Sequence, residues 1–392
     1  MSSVNSRIHK SDTWFYFYER FLFLKDKSGK KVYPTTQSMF NKRILSSGVE
    51  GKVYKTSFRN KTRYKHKRVQ SQVGHFVIKA LYLKRIRDRK VIHRDMIDTT
   101  PANVHNIFYS KRAFTKPSLV EVLSLTLTNQ LVAQKICPHF VLNYYWEYKS
   151  NTIRLYNEYA TYGDFKTWAK KQHSVEVWMN ALFQIFVGIF AIKRYFNMIH
   201  TDLHTGNILV HRVQPGGYWT YIIDNKRYYL PNLGYIFLLS DFGFSWIPKK
   251  MCVPWHYDQR LKYITTRGRN FYDVSILIKS LQSINTLPND VKTQIASVFQ
   301  KTDFIVFRKQ YYKNQLEQAD KKNTKTIKVY KSLIKHYSSI KHRDTFIEKL
   351  YKLFPNFTKK PQNSKHIETY SLDKKFRRST LNKNFRELVS KN

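Results

Sequence analysis

Residues 175–210 join a long apolar run, VWMNALFQIFVGIFAI (177–192), to a polar loop, IHTDLHTGN (199–207), and then to a strand-like ILV. The run falls short of the ~20 apolar residues that a spanning helix needs, and Asn180 and Gln184 interrupt it. It reads as a buried helix of a soluble protein, with the polar loop carried at its end.

The chain can afford such a core. It has 392 residues, 42% hydrophobic and 16% aromatic, enough for one large domain or two modest ones. Two cysteines, Cys137 and Cys252, supply neither a disulfide framework nor a metal-ligand spacing, which suits a reducing compartment. The opening MSSVNSRIHKSD lacks the apolar core of a secretory signal. Seventy Lys and Arg against 26 Asp and Glu leave a formal charge of +44. That excess points to a polyanionic partner such as nucleic acid, an acidic protein or a membrane surface. Coding bias of an AT-rich genome accounts for it equally well, since no known binding motif collects the charge.

Along the chain, KRILSSGVEGKVYKTSF reads as strand, glycine turn, strand, and HFVIKALYL as a further strand. Residues 84–116 are a charged, irregular insertion. Val120, Leu123, Leu127 and Leu131 then fall on one helical face. Two strand-like runs follow, FVLNYYWEY and TIRLYNEY, and Gly163-Asp164 opens a helical stretch. Within the insertion-like segment 211–236, YWTYIIDNKRYYLP predicts a hairpin with Asp224-Asn225 at its tip. Residues up to about 355 look helical, and residues 356–392 form a basic, polar tail of a composition typical of disorder.

Two tetrapeptides look alike: IHRD at 92–95 and IHTD at 199–202. Only the second is followed, five residues after its Asp202, by an Asn (Asn207), and later by Asp241-Phe242-Gly243. Five residues after Asp95 stands Thr100, which has no amide to offer, so the first copy reads as a coincidence within the insertion. The second series resembles the catalytic loop and the metal-binding DFG of the protein kinase superfamily.

The resemblance extends over about residues 41–284. SSGVEGKV is similar to the family's glycine-rich loop, with Ser46 in place of the first glycine while Gly48, Gly51 and Val53 keep their places. Lys79 of VIK fits the lysine that contacts the α and β phosphates. Glu121 fits its carboxylate partner, and it is the one glutamate in residues 80–139. Ser118 and Glu121 also form a capping box, so two roles compete for this side chain. YNEYATYGDF resembles the hinge between lobes, where the backbone of Glu158 and Ala160 would bond adenine and Asn157 would sit at the back of the pocket. Asp273 would brace the catalytic loop, or else serve only as an acidic residue near a helix N-terminus.

HxDLHxGN, Pro138-His139-Phe140 and the hairpin before DFG are most similar to the divergent serine/threonine kinases of large nucleocytoplasmic DNA viruses. Three departures stand out. Thr201 replaces the loop's arginine, His204 stands where a phosphate-contacting lysine is usual, and no Ala-Pro-Glu closes the activation segment.

The resemblance implies an α+β, two-lobed fold. Its parts would be a mainly β N-lobe over residues 1–157, a mainly α C-lobe over 158–355, and the tail. It implies ATP with Mg²⁺, or Mn²⁺ in its place, held by Asn207 and Asp241, and transfer of the γ-phosphoryl group to Ser or Thr of a protein with Asp202 accepting the proton. The expected location is cytoplasmic, in the host cytoplasm or the virion for a viral protein. Two alternatives stay open: a choline- or aminoglycoside-like small-molecule kinase, and a pseudokinase or basic scaffold that binds nucleic acid.

Overall fold

Phe40–Ser47 forms β1, and two segments rich in β-branched and aromatic residues form β2 (Gly51–Phe58) and β3 (Phe76–Tyr82). The computed structural model describes residues 24–25, 31–32, 40–47, 51–58, 63–64, 67–68, 76–82, 117–149, 152–247, 266–299, 316, 324–339 and 346–377. Gly48, Cys252, the insertion 84–116 with its IHRD, and residues 378–392 lie outside the described residues.

The three strands join β4 (Asn143–Lys149) and β5 (Thr152–Glu158) in an antiparallel sheet of order β1-β2-β3-β5-β4. Gly51 is sterically required in it, because a Cβ there would lie 1.9 Å from the Ala80 carbonyl oxygen on β3.

Helix α1 (Pro117–Ala133) buries the expected face of Val120, Leu123, Leu127 and Leu131, but also Leu119, Val122 and Leu125. A helix apolar all round must be covered all round. Asn129 fastens α1 to β4 by exchanging hydrogen bonds with the Asn143 backbone at 2.6 and 3.1 Å, and the helix also packs on residues 242–244.

After β5 the chain makes a two-residue strand β6 (Gly163–Asp164) and a single-turn helix α2 (Phe165–Trp168), whose Thr167 amide is capped by Asp164 at 2.6 Å. The long apolar run becomes α3 (Val175–Phe196), capped by Ser174 at its start and by Asn197 in the left-handed conformation (φ 52°) at its end. By length and composition α3 could cross a membrane, but 78% of its most apolar stretch is buried inside the fold. Its two polar interruptions are used. Asn180 donates to the Pro231 carbonyl at 2.8 Å, and Gln184 accepts from the Phe237 amide at 3.0 Å.

Strand β7 (Ile208–Arg212) follows. The expected hairpin forms from β8 (Tyr218–Ile223) and β9 (Lys226–Pro231), with positive φ at both tip residues, Asp224 and Asn225. Strand β10 (Tyr235–Leu239) pairs with β7, giving a sheet of order β6-β7-β10. Helices α4 (Thr266–Gln282), α5 (Asn289–Val298), α6 (Thr324–Ser339) and α7 (Phe346–Leu353) complete a mixed α+β architecture.

The composition of the tail misleads over residues 356–377. Residues 366–371 form β11 (His366–Ser371), which adds parallel to β8 in a sheet of order β9-β8-β11. Phe357, Tyr370 and Leu372 are few, but each is buried in the core. Tyr195 on α3 donates to the Leu372 and Lys374 carbonyls at 2.7 and 2.8 Å. Asp373 accepts from both hairpin-tip amides, those of Asp224 at 2.9 Å and Asn225 at 2.8 Å.

Candidate active site

Strand alternation on β3 buries Phe76, Ile78 and Ala80 and leaves Lys79 on the opposite face, across from Val53 on β2. An ammonium has three protons and accepts none. Lys79 Nζ directs its protons to Glu121 Oε1 (2.8 Å), Glu121 Oε2 (2.9 Å) and Asp241 Oδ1 (2.7 Å). Burial alone would lower the lysine's pKa, but the two carboxylates outweigh it and raise the ammonium above its ordinary value. Of the two roles competing for Glu121, the pairing with Lys79 is present, and it engages both carboxylate oxygens.

Asp241 follows β10 and is left-handed (φ 62°, ψ 59°), which turns the chain sharply into residues 242–244. Phe242 beyond it is fully buried, 6.4 Å from the Phe140 ring and 4.8 Å from that of His200. Burial would raise the Asp241 carboxyl, yet Lys79 above all, with His200 and His204, holds it below the usual carboxylate value.

The loop at the end of α3 is braced from two sides. Ile199 and Trp246 exchange backbone hydrogen bonds, both at 2.8 Å. Asp273 on α4 accepts from the His200 and Thr201 amides, each at 2.8 Å, through different carboxylate oxygens. Burial raises the Asp273 carboxyl despite these two bonds. The Ser280 side chain, also on α4, accepts from the Thr205 amide at 3.0 Å. Sequence reasoning missed that brace, although Ser280 lies seven residues after Asp273 and therefore on the same helical face.

Asn207 Nδ2 donates to the Asp202 carbonyl (2.8 Å) and to Asp202 Oδ2 (3.2 Å), so it holds the aspartate and turns its own Oδ1 away. No described group donates to that Oδ1. His204 Nδ1 accepts from the Gly206 amide at 3.0 Å, which leaves the proton on Nε2, 3.8 Å from Asp202 Oδ2. Thr201 Oγ1 donates to the Phe244 carbonyl at 2.5 Å, a tie that no side-chain pattern announces.

At the expected hinge, the Glu158 amide is taken by the Leu142 carbonyl at 2.8 Å, and Asn157 Oδ1 accepts from Asn143 at 2.7 Å. Ala160 is a buried residue, and its amide donates to no acceptor among the described residues. A backbone donor without a protein partner is open to a ligand acceptor. The Asp241 carboxylate and Asn207 Oδ1 are hard oxygen donors of the kind Mg²⁺ prefers. No group of three or more His, Cys, Asp or Glu among the described residues forms a cage for a metal. A Mg²⁺ ion that also takes phosphate and water needs only one or two carboxylates. The residues present therefore fit a nucleotide with its cation.

No family profile matches the chain. Segments of it are similar to viral proteins. A stretch of 66 residues, 16% of this chain, is 41% identical to 8% of "Putative serine/threonine-protein kinase 019R" of Frog virus 3 (isolate Goorha). Over 80 residues, 19% of this chain is 34% identical to 15% of "Probable serine/threonine-protein kinase 380R" of Invertebrate iridescent virus 6. Over 156 residues, 34% of this chain is 25% identical to 21% of "Uncharacterized protein 011L" of Invertebrate iridescent virus 3. The chain thus spans between 8% and 21% of the length of these relatives, and the relationship is a partial, kinase-like one.

Proposed function

We propose that this chain is an ATP-dependent serine/threonine protein kinase with the two-lobed fold of that superfamily. The sheet and α1 would be its N-lobe, and the helical part, extended by β11, its C-lobe. One observation carries the reading: Lys79 joins Glu121 of α1 to Asp241, which follows β10. Holding a partly buried lysine against the buried Glu121 and the half-exposed Asp241 costs desolvation that apolar side chains would avoid. Charges gathered at such cost beside a braced polar loop support the reading of this place as a functional site.

ATP with Mg²⁺ supplies the transferable phosphoryl group and the charge that screens it. Lys79 would hold the α and β phosphates, with Glu121 keeping its ammonium in place. Asp241 and Asn207 Oδ1 would ligate the cation. The Ala160 amide would bond the base, while the backbone around Gly51 and the side chain of Val53 would cover the nucleotide. Asp202, steadied by Asn207, would orient the acceptor hydroxyl and take its proton. The names of the two kinase relatives favour a protein acceptor over a small molecule.

The test gives full-length protein radiolabelled ATP and Mg²⁺ with casein, a basic protein or choline. Label on Ser or Thr of a protein, lost in Asp202→Ala, is the expected result. Label on choline alone would move the chain to the small-molecule kinases. No transfer, together with no thermal shift on adding ATP, would leave a binding scaffold.

A further inference from the structure

The β9-β8-β11 sheet has two different faces. Trp219, Tyr221, Ile223, Tyr228, Leu230 and Tyr370 point inward and are buried in the core. Folding accounts for that face. The outer face carries a row of three rings crossing all three strands: His366 on β11, Tyr218 on β8 and Tyr229 on β9. The Tyr218 ring lies 5.5 Å from that of His366 and 5.8 Å from that of Tyr229. His366 is exposed and Tyr229 half-buried, while Tyr218 lies beneath them. Arg227 and Lys360 line the same concavity of about 250 Å³ as these rings. An adjoining, larger hollow adds Lys365. No Asp or Glu lines either hollow, and Glu368, the acidic residue of β11, is paired with Lys135 at 2.8 Å.

We propose that this outer sheet face binds single-stranded nucleic acid, DNA or RNA. The chemistry selects among polyanions. A sulfated or acidic chain would use the cations but has no flat face for the rings. A membrane surface would call for protruding apolar side chains, whereas Ile222 is the one large aliphatic on this face and it is half-buried. A single strand presents phosphates to Arg227, Lys360 and Lys365 and stacks its bases on the exposed His366 ring and the half-buried Tyr229 ring. The proposal gives the basic excess of the chain a defined place, and it does not depend on the phosphotransfer reading.

The test measures anisotropy of fluorescein-labelled oligo(dT) and oligo(U) with the full chain, with fluorescein-labelled heparin as a polyanion without bases. Tyr229→Ala should weaken oligonucleotide binding about fivefold or more and change heparin binding less than about twofold. Arg227→Glu, at an exposed position that leaves the fold intact, should weaken oligonucleotide binding and flatten its salt dependence. Lys292→Glu on α5 makes the same charge change elsewhere and should leave oligonucleotide binding nearly unchanged. If Arg227→Glu and Lys292→Glu weaken it alike, only bulk charge acts and the site is refuted. It is also refuted if Tyr229→Ala, with an unaltered thermal midpoint, binds oligonucleotide normally, or if it loses heparin as strongly as oligonucleotide.

Discussion

Thr201 holds φ at 68°, a conformation that a β-branched residue rarely adopts. Strain of this kind costs on the order of 1–3 kcal/mol and persists only where neighbours over-determine it. Here the Thr201 amide is fixed by Asp273, and the hydroxyl is fixed by the Phe244 carbonyl. In the kinases this loop resembles, an arginine at the same place meets a phosphate on the activation segment. A neutral hydroxyl reaching a backbone carbonyl needs no phosphate. Thr201→Val keeps the shape and removes the donor, so kcat should fall about fivefold, the equivalent of one hydrogen bond of ~1 kcal/mol. Phosphatase treatment of the parent should leave kcat unchanged, with mass spectrometry checking that Thr265 and Thr266 carry no phosphate. Asp202→Ala should cost about 10²–10⁴ in rate, while Asp95→Ala should stay within a few-fold of the parent in the same assay. The Lys79–Glu121 pair was legible in the sequence because residues 80–139 offer no other glutamate. The Thr201 tie was not, because a positive φ and a carbonyl partner leave no mark on residue type.

The Lys79 cluster joins β3, α1 and the turn after β10, so its charges act between elements. The raised Lys79 value means its ion pairs support the fold fully below the ordinary 10.5 and weaken as pH climbs through the raised value. The lowered Asp241 value means its support is complete above 3.8 and is lost as pH falls through the lowered value. Urea unfolding of the parent and of Asp241→Asn should therefore differ by a constant amount from about pH 5 to 8, with the parent losing ground only in stronger acid. The segment after α7 allows a second measurement. Leu372 is fully buried, so Leu372→Ala should lower the unfolding free energy by about 2–5 kcal/mol. The helical period of α1 was readable because its apolar spacing is regular; its burial on every side depends on what packs over it. Strand β11 escaped notice because its apolar residues are sparse and its partner strand lies far away in sequence.

Across the whole molecule, a formal charge of +44 sets like charges against one another in the compact state. Salt screens that repulsion over about 10 Å at 0.1 M. The thermal midpoint should therefore rise when sodium chloride is raised from about 50 to 300 mM, as differential scanning fluorimetry can follow; a fall would mean that attractive pairs dominate. The parallel pairing of β11 with β8 has a consequence in time. Tyr195 and the carbonyl it bonds at Leu372 are 177 residues apart, and β8 is the middle strand of its sheet. During synthesis the hairpin of β8 and β9 leaves the ribosome with one side of β8 unpaired, and that side stays open until β11 arrives. An open strand edge invites pairing with another nascent chain, and closing so long a loop is slow. Strand β11 thus acts as the closing seam of that sheet, and the chain is most vulnerable to association in the interval before it arrives.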